Sequence, residues 1–200
     1  MITLFFKGGP VMWVLLLCSI LGFYIIFYKL FYLIFQSVSF TKIQHETRHL
    51  LSVHPVELVI EKLQSERTLL HQAAAHALSF SNDSSKNSED CVKSFTLAHV
   101  TTLEKYMSIL SGLITITPIL GLMGTVLGLM NIFNVISGGG MGDSQALSIG
   151  IAEALITTVT GLGIATPFII MHHYINQRIE HLGFQLERMI IDVNQFFDPQ

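Results

Sequence analysis

Three long apolar stretches, residues 11–35, 106–136 and 146–175, constrain this 200-residue chain more than any other feature. Each is at least as long as the ~20 helical residues needed to cross ~30 Å of hydrocarbon. Inside lipid every backbone N–H and C=O must be satisfied within its own segment, so stretches of this length commit the chain to helices. Half of the residues are hydrophobic and only 12% are charged, a membrane protein's balance. The expected fold is an all-α integral membrane protein with three transmembrane helices extended by cytoplasmic helices. The first stretch exceeds the ~7–15 apolar residues of a signal-peptide core and no small-x-small cleavage site follows it, so it reads as a retained anchor. Pro118 and Pro167 lie inside the second and third spans as expected helix kinks. Thr115, Thr117 and Thr166 are close enough to satisfy the carbonyls that the prolines free.

The basic residues set the expected orientation. Only Lys7 precedes the first span, and the short connection at 137–145 has none. Lys29, Lys42, Arg48, Lys62, Arg67, Lys86, Lys93 and Lys105 lie between the start of the first span and the second, and Arg178 and Arg188 follow the third. By the positive-inside rule residues 1–10 and the 137–145 loop are exterior (periplasmic), while 36–105 and the 176–200 tail are cytoplasmic.

The 36–105 segment is too short and polar for a large independent core and reads as helical hairpin material. Val56, Val59, Ile60 and Leu63 follow the spacing of one helix face, with Pro55 suited to the first helical position. The polar run at 81–90 is a break. Ile179, Leu182, Leu186, Met189, Ile190, Val193 and Phe196 continue at three-and-four spacing, so the third helix is expected to extend into the cytoplasm. Cys18 and Cys91 fall in different compartments, and no disulfide is expected.

Several chemistries are disfavoured. A net charge of −3 without a basic stripe lacks the footprint of a nucleic-acid binder. Gly140-Met141-Gly142-Asp143 matches the glycine-x-glycine-aspartate pattern of intramembrane aspartyl proteases, but that chemistry needs a second carboxylate sharing a proton. Asp83, Asp90, Asp192 and Asp198 all fall on the cytoplasmic side. His45 and His49 share a helix face without a Glu-x-x-His frame or cysteine pair, so no metal site is expected, and His172 and His173 read as a helix-terminal pair. No phosphate-binding loop is present, and no enzyme activity is expected.

Two features remain. Gly121, Gly124, Thr125 and Gly128 form small-xxx-small pairs that let helices approach closely, with Gly161 adding a small residue on the third span. Glu153 places a carboxylate in an apolar helix, which costs a few kcal/mol and is normally kept only where it faces a bundle interior or wet cavity. An interfacial glutamate is the simpler alternative, since the residue lies only about two helical turns into the span. A desolvated acid can take a proton from one side and release it to the other. Thr157 and Thr160, at i+4 and i+7, share its helix face and could carry a water chain.

The stretches "TPILGLMGTVLGLMNIF" and "GIAEALITTVTGLGIATP" resemble the two pore-helix signatures of the ExbB/TolQ branch of the MotA/TolQ/ExbB proton-channel family. The resemblance implies a homopentameric ring around ExbD- or TolR-type single-span helices in the bacterial inner membrane. Protons are the transported ion and no cofactor is implied. In an ExbB-type assembly the motion passes to a TonB-type protein that energises outer-membrane transport; in a TolQ-type assembly it serves the envelope. A non-conducting membrane scaffold is the alternative of a different class. The family's pore residues map onto Glu153, Thr125 and Thr158. On a regular helix Thr158 lies about 140° around from Glu153, so resemblance and helix geometry favour different threonines.

Overall fold

The computed structural model describes residues 9–36, 40–66, 68–81, 88–137 and 144–197. These form helices α1 (Gly9–Gln36), α2 (Phe40–Val53), α3 (Val56–Ser65), α4 (Leu69–Ser81), α5 (Ser88–Glu104), α6 (Met107–Ser137) and α7 (Ser144–Phe197). Lys7, the 138–143 connection with its Gly-x-Gly-Asp match, most of the 81–90 break and Asp198 lie outside the described residues, as do the side chains of Cys91 and Phe196. Three helical segments are long and apolar enough to cross a membrane.

The chain divides into two compact units. The first, Met1–Tyr28 with Tyr106–Tyr174, holds the beginnings of α1 and α7 and all of α6. Val11, Met12 and Leu15 of α1 form a core with Leu120, Ile156 and Ile164. Lower on α1, Gly22 leaves room for the fully buried Phe168, whose ring meets Phe23 edge-on at 5.3 Å. The outward faces are apolar: Trp13, Leu17, Tyr24, Phe27, Leu122, Phe133, Leu155 and Val159 are all exposed. A soluble protein would not leave so much contiguous apolar surface in water, which is the physical reason to place this unit in lipid.

Both spans keep their proline inside an α-helix. The threonine hydroxyls do not serve the freed carbonyls as expected. Thr115, Thr117 and Thr166 donate to Ser111, Leu113 and Leu162 O, whereas Pro118 and Pro167 leave the carbonyls of residues 114 and 163. A threonine hydroxyl curls back onto its own i−4 carbonyl, which here is always an earlier one.

The second unit, Lys29–Lys105 with Ile175–Gln200, is built around α4. Leu69, Leu70, Ala73, Ala74, Ala75, Ala77 and Leu78 are all buried, so α4 is covered nearly all round instead of presenting one stripe. Gln36 caps it from a distance, its Oε1 accepting from Leu69 N at 3.0 Å. Val59 and Leu63 are buried on α3 as their spacing predicts, with Val56 and Ile60 half-buried. Pro55 stands one position earlier than expected, as the extended residue capping α3 (φ −63°, ψ 149°). Ile179, Leu182, Leu186, Met189, Ile190 and Val193 are buried along the end of α7, where Gln44 donates to Asp192 at 2.6 Å and the Arg188 guanidinium covers Phe40.

Lys29, counted from the sequence among the basic residues that set the orientation, is buried. It is only 4% exposed, and its ammonium donates to Leu103 O at 2.5 Å, among the last carbonyls of α5. A cation is favourable there because those carbonyls lack intrahelical partners and carry the negative end of the helix dipole.

α4 and α5 are also joined through aromatic rings. His76 packs on Phe95 at 4.7 Å, and Phe95 stacks on His99 at 4.1 Å. Burial, with His99 nearby, holds the His76 imidazole below its usual value. The folded unit therefore prefers neutral His76, while the unfolded chain takes up a proton first as pH falls through about 6.5. Its contribution to stability is complete above that value and is lost progressively below it. Hydrogen-exchange protection of α4 and α5, corrected for intrinsic rates, should fall between pH 7.5 and 5.5, and His76→Gln should flatten that dependence. An unchanged slope in His76→Gln would assign the effect to another group.

Candidate functional site

The face where α6 meets α7 is made of small residues from both helices. On α6 Gly121, Gly124 and Gly128 recur at intervals of three and four, and on α7 Gly150, Ala154, Thr157 and Gly161 do the same. A β-carbon on Gly121 would stand 3.0 Å from Thr157 O and 3.1 Å from Thr158 Cα; one on Gly161 would stand 2.6 Å from Thr117 O. The backbones themselves are in contact, which only glycine permits. Gly128 packs in the same way on Gly150 and Ala154.

This contact decides what the threonines do. Thr157 is fully buried against Gly124, its hydroxyl donating to Ala154 O at 2.8 Å. Thr158 reaches across, donating to Gly121 O of α6 at 3.1 Å. Thr125 and Thr160 are half-buried and bond their own helices, at Leu122 O (2.6 Å) and Ile156 O (2.7 Å). Each hydroxyl commits its hydrogen to a carbonyl while its oxygen can still accept from a water or acid.

Glu153 is half-buried and turned elsewhere. Its carboxylate lies against Gly9, the first residue of α1, in the space a β-carbon there would need. Within this unit Glu153 is therefore next to α1, while Thr157 and Thr158 are next to α6. Gly9, inside the 1–10 segment expected to be exterior, is the first residue of α1, and Gly150-x-x-x-Ala154 adds to the packing face a small-xxx-small pair beyond the glycines singled out from the sequence. His45 and His49 are both exposed on α2, and His172 and His173 lie within α7 and not at a helix terminus as expected, because α7 runs on unbroken to Phe197; among the described residues no cluster of histidine, cysteine and carboxylates suits a metal ion.

Apolar-faced helices of spanning length, packed through glycine and carrying a half-buried acid, define a multi-span membrane protein. The family described as the MotA/TolQ/ExbB proton channel family matches residues 61–188, and the chain belongs to it. Among named relatives, the putative biopolymer transport protein ExbB-like 3 of Synechocystis is 40% identical over 76 residues, covering 37% of this chain and 36% of the relative. The Tol-Pal system protein TolQ of Haemophilus influenzae is 35% identical over 80 residues, 40% of this chain and 35% of the relative. The biopolymer transport protein exbB1 of Vibrio cholerae is 26% identical over 194 residues, 95% of this chain and 85% of the relative. The chain thus spans little more than a third of the first two relatives' length and most of the third's.

Proposed function

We propose that this chain is a proton-channel subunit of an ExbB-type energiser in the bacterial inner membrane, with its N-terminus periplasmic and its C-terminus cytoplasmic. The observation that carries the reading is a titratable carboxylate, Glu153, held in an apolar helix whose neighbouring face is packed by Gly121, Gly124 and Gly161. Family membership and the distribution of Lys and Arg support it. Copies assemble as a homopentamer, the arrangement that the family resemblance implies; a ring gives the half-buried acid a protein-lined path through the membrane, which a lone unit surrounded by lipid does not. An ExbD-type single-span protein sits inside the ring and a TonB-type protein receives the motion. Protons pass by Glu153, with Thr125 and Thr158 lining the path.

The match to TolQ favours a second reading, a subunit of a Tol-Pal-type envelope system. Two measurements test these readings. Native mass spectrometry in detergent should find a ring, and vesicles containing the chain with an ExbD-type partner should conduct protons. A stable, active monomer would refute the ring, and an intact ring without flux would favour a scaffold. Restoration of a TolQ-deficient strain, without restoration of TonB-dependent uptake in an ExbB-deficient one, would select the TolQ-type reading.

A further inference from the structure

Glu153 lacks an ion-pair partner among the described residues; what it has is Gly9. Three properties of that glycine bear on the acid. Its φ is +66°, a backbone region that side chains other than glycine's enter only with strain. A β-carbon there would coincide with the Glu153 carboxylate, meeting Oε1 first and standing 3.2 Å from Cδ. Gly9 also opens the 28-residue α1, so the carboxylate lies at the end of the helix where the dipole is positive. Pro10 follows, its ring presetting the first turn.

We propose that Gly9 is a positioning residue for the proton site: its missing side chain and left-handed backbone form the seat in which the start of α1 holds the Glu153 carboxylate. This rests on the reading of Glu153 as the proton carrier. The core formed by Val11, Met12 and Leu15 with Ile156 and Ile164 keeps the seat in register, since it ties the same end of α1 to the same face of α7. A methyl group at position 9 displaces the acid by about its own size, and misplacement of about 1 Å can cost on the order of 100-fold.

The test is a double-mutant cycle on proton flux in assembled complexes. Gly9→Ala should lower flux about tenfold or more. Glu153→Asp withdraws the acid by one methylene and vacates the contested space, so adding Gly9→Ala to Glu153→Asp should cost little further flux. Equal fold-losses in both backgrounds would mean that the methyl acts through backbone strain alone, and parental flux in Gly9→Ala would mean there is no seat; either overturns the proposal. A readout independent of transport follows the carboxylate itself. Solid-state NMR of rings labelled with carbon-13 at glycine Cα and glutamate Cδ should show a Gly9 Cα–Glu153 Cδ contact that disappears in Glu153→Gln. If both sites are assigned and no such contact appears, the seat is refuted even where Glu153 proves to be the proton carrier. If Glu153→Gln conducts normally while the parent shows the contact, the failure belongs to the proton reading instead, and the positioning role falls with it.

Discussion

Vesicles carrying Glu153→Gln with an ExbD-type partner should contain rings of normal composition and conduct protons at least about a hundredfold more slowly than the parent. The amide keeps the side chain's length and fits the same space against Gly9, so packing of α1 on α7 is preserved. What it loses is the carboxyl group's ability to bind and release a proton. Were the carboxylate only an anchor, the neutral isostere would serve as well, and removing a partly desolvated charge would even favour assembly. Glu153→Asp keeps the acid but moves it, so partial loss is expected there. Energy-dependent uptake in cells should fall with the flux. A Glu153→Gln ring of normal composition that conducts at the parental rate removes Glu153 from the mechanism.

How much of this was legible beforehand depends on how local each cause is. The three spanning segments could be read because apolarity summed over ~20 residues leaves few alternatives. The buried line from Ile179 to Val193 was readable for the same reason, a period repeated over several turns. The small-residue face of α6 announced itself through spacing. Other features depend on partners distant in sequence. Lys29 counted in the sequence only toward the orientation of the spans; the Leu103 carbonyl to which it donates is 74 residues away. The alanines of α4 carry no amphipathic period, since that helix is buried nearly all round. The choice between Thr157 and Thr158 is harder still, because α1 and α6 both pack on α7. A helical wheel places residues relative to one another but does not say which neighbour each face meets.

Gly124 is where close packing carries the second large effect. A β-carbon at this position would overlap the Thr157 side chain, coming within 2.5 Å of its Cβ. Thr157 has no room to yield: it is fully buried, and its hydroxyl is committed to carbonyls of its own helix at Ala154 and Glu153. Gly124→Leu must therefore push α6 away from α7, and overpacking of this kind costs about 1–3 kcal/mol or more. The separation should also break the hydrogen bond from Thr158 to Gly121 O and move Thr125, the next residue along. The expected result is a lower melting temperature in detergent and loss of ring assembly or of proton flux, with Gly124→Ala intermediate. Gly163, whose added β-carbon would meet nothing within 4 Å, provides the control: Gly163→Ala should leave the protomer's stability close to the parent's. Adding Thr157→Gly to Gly124→Ala should recover part of the loss, because it clears the atoms with which the new methyl collides. If Gly124→Leu assembles and transports as the parent does, the close approach of α6 and α7 is not what holds the site together.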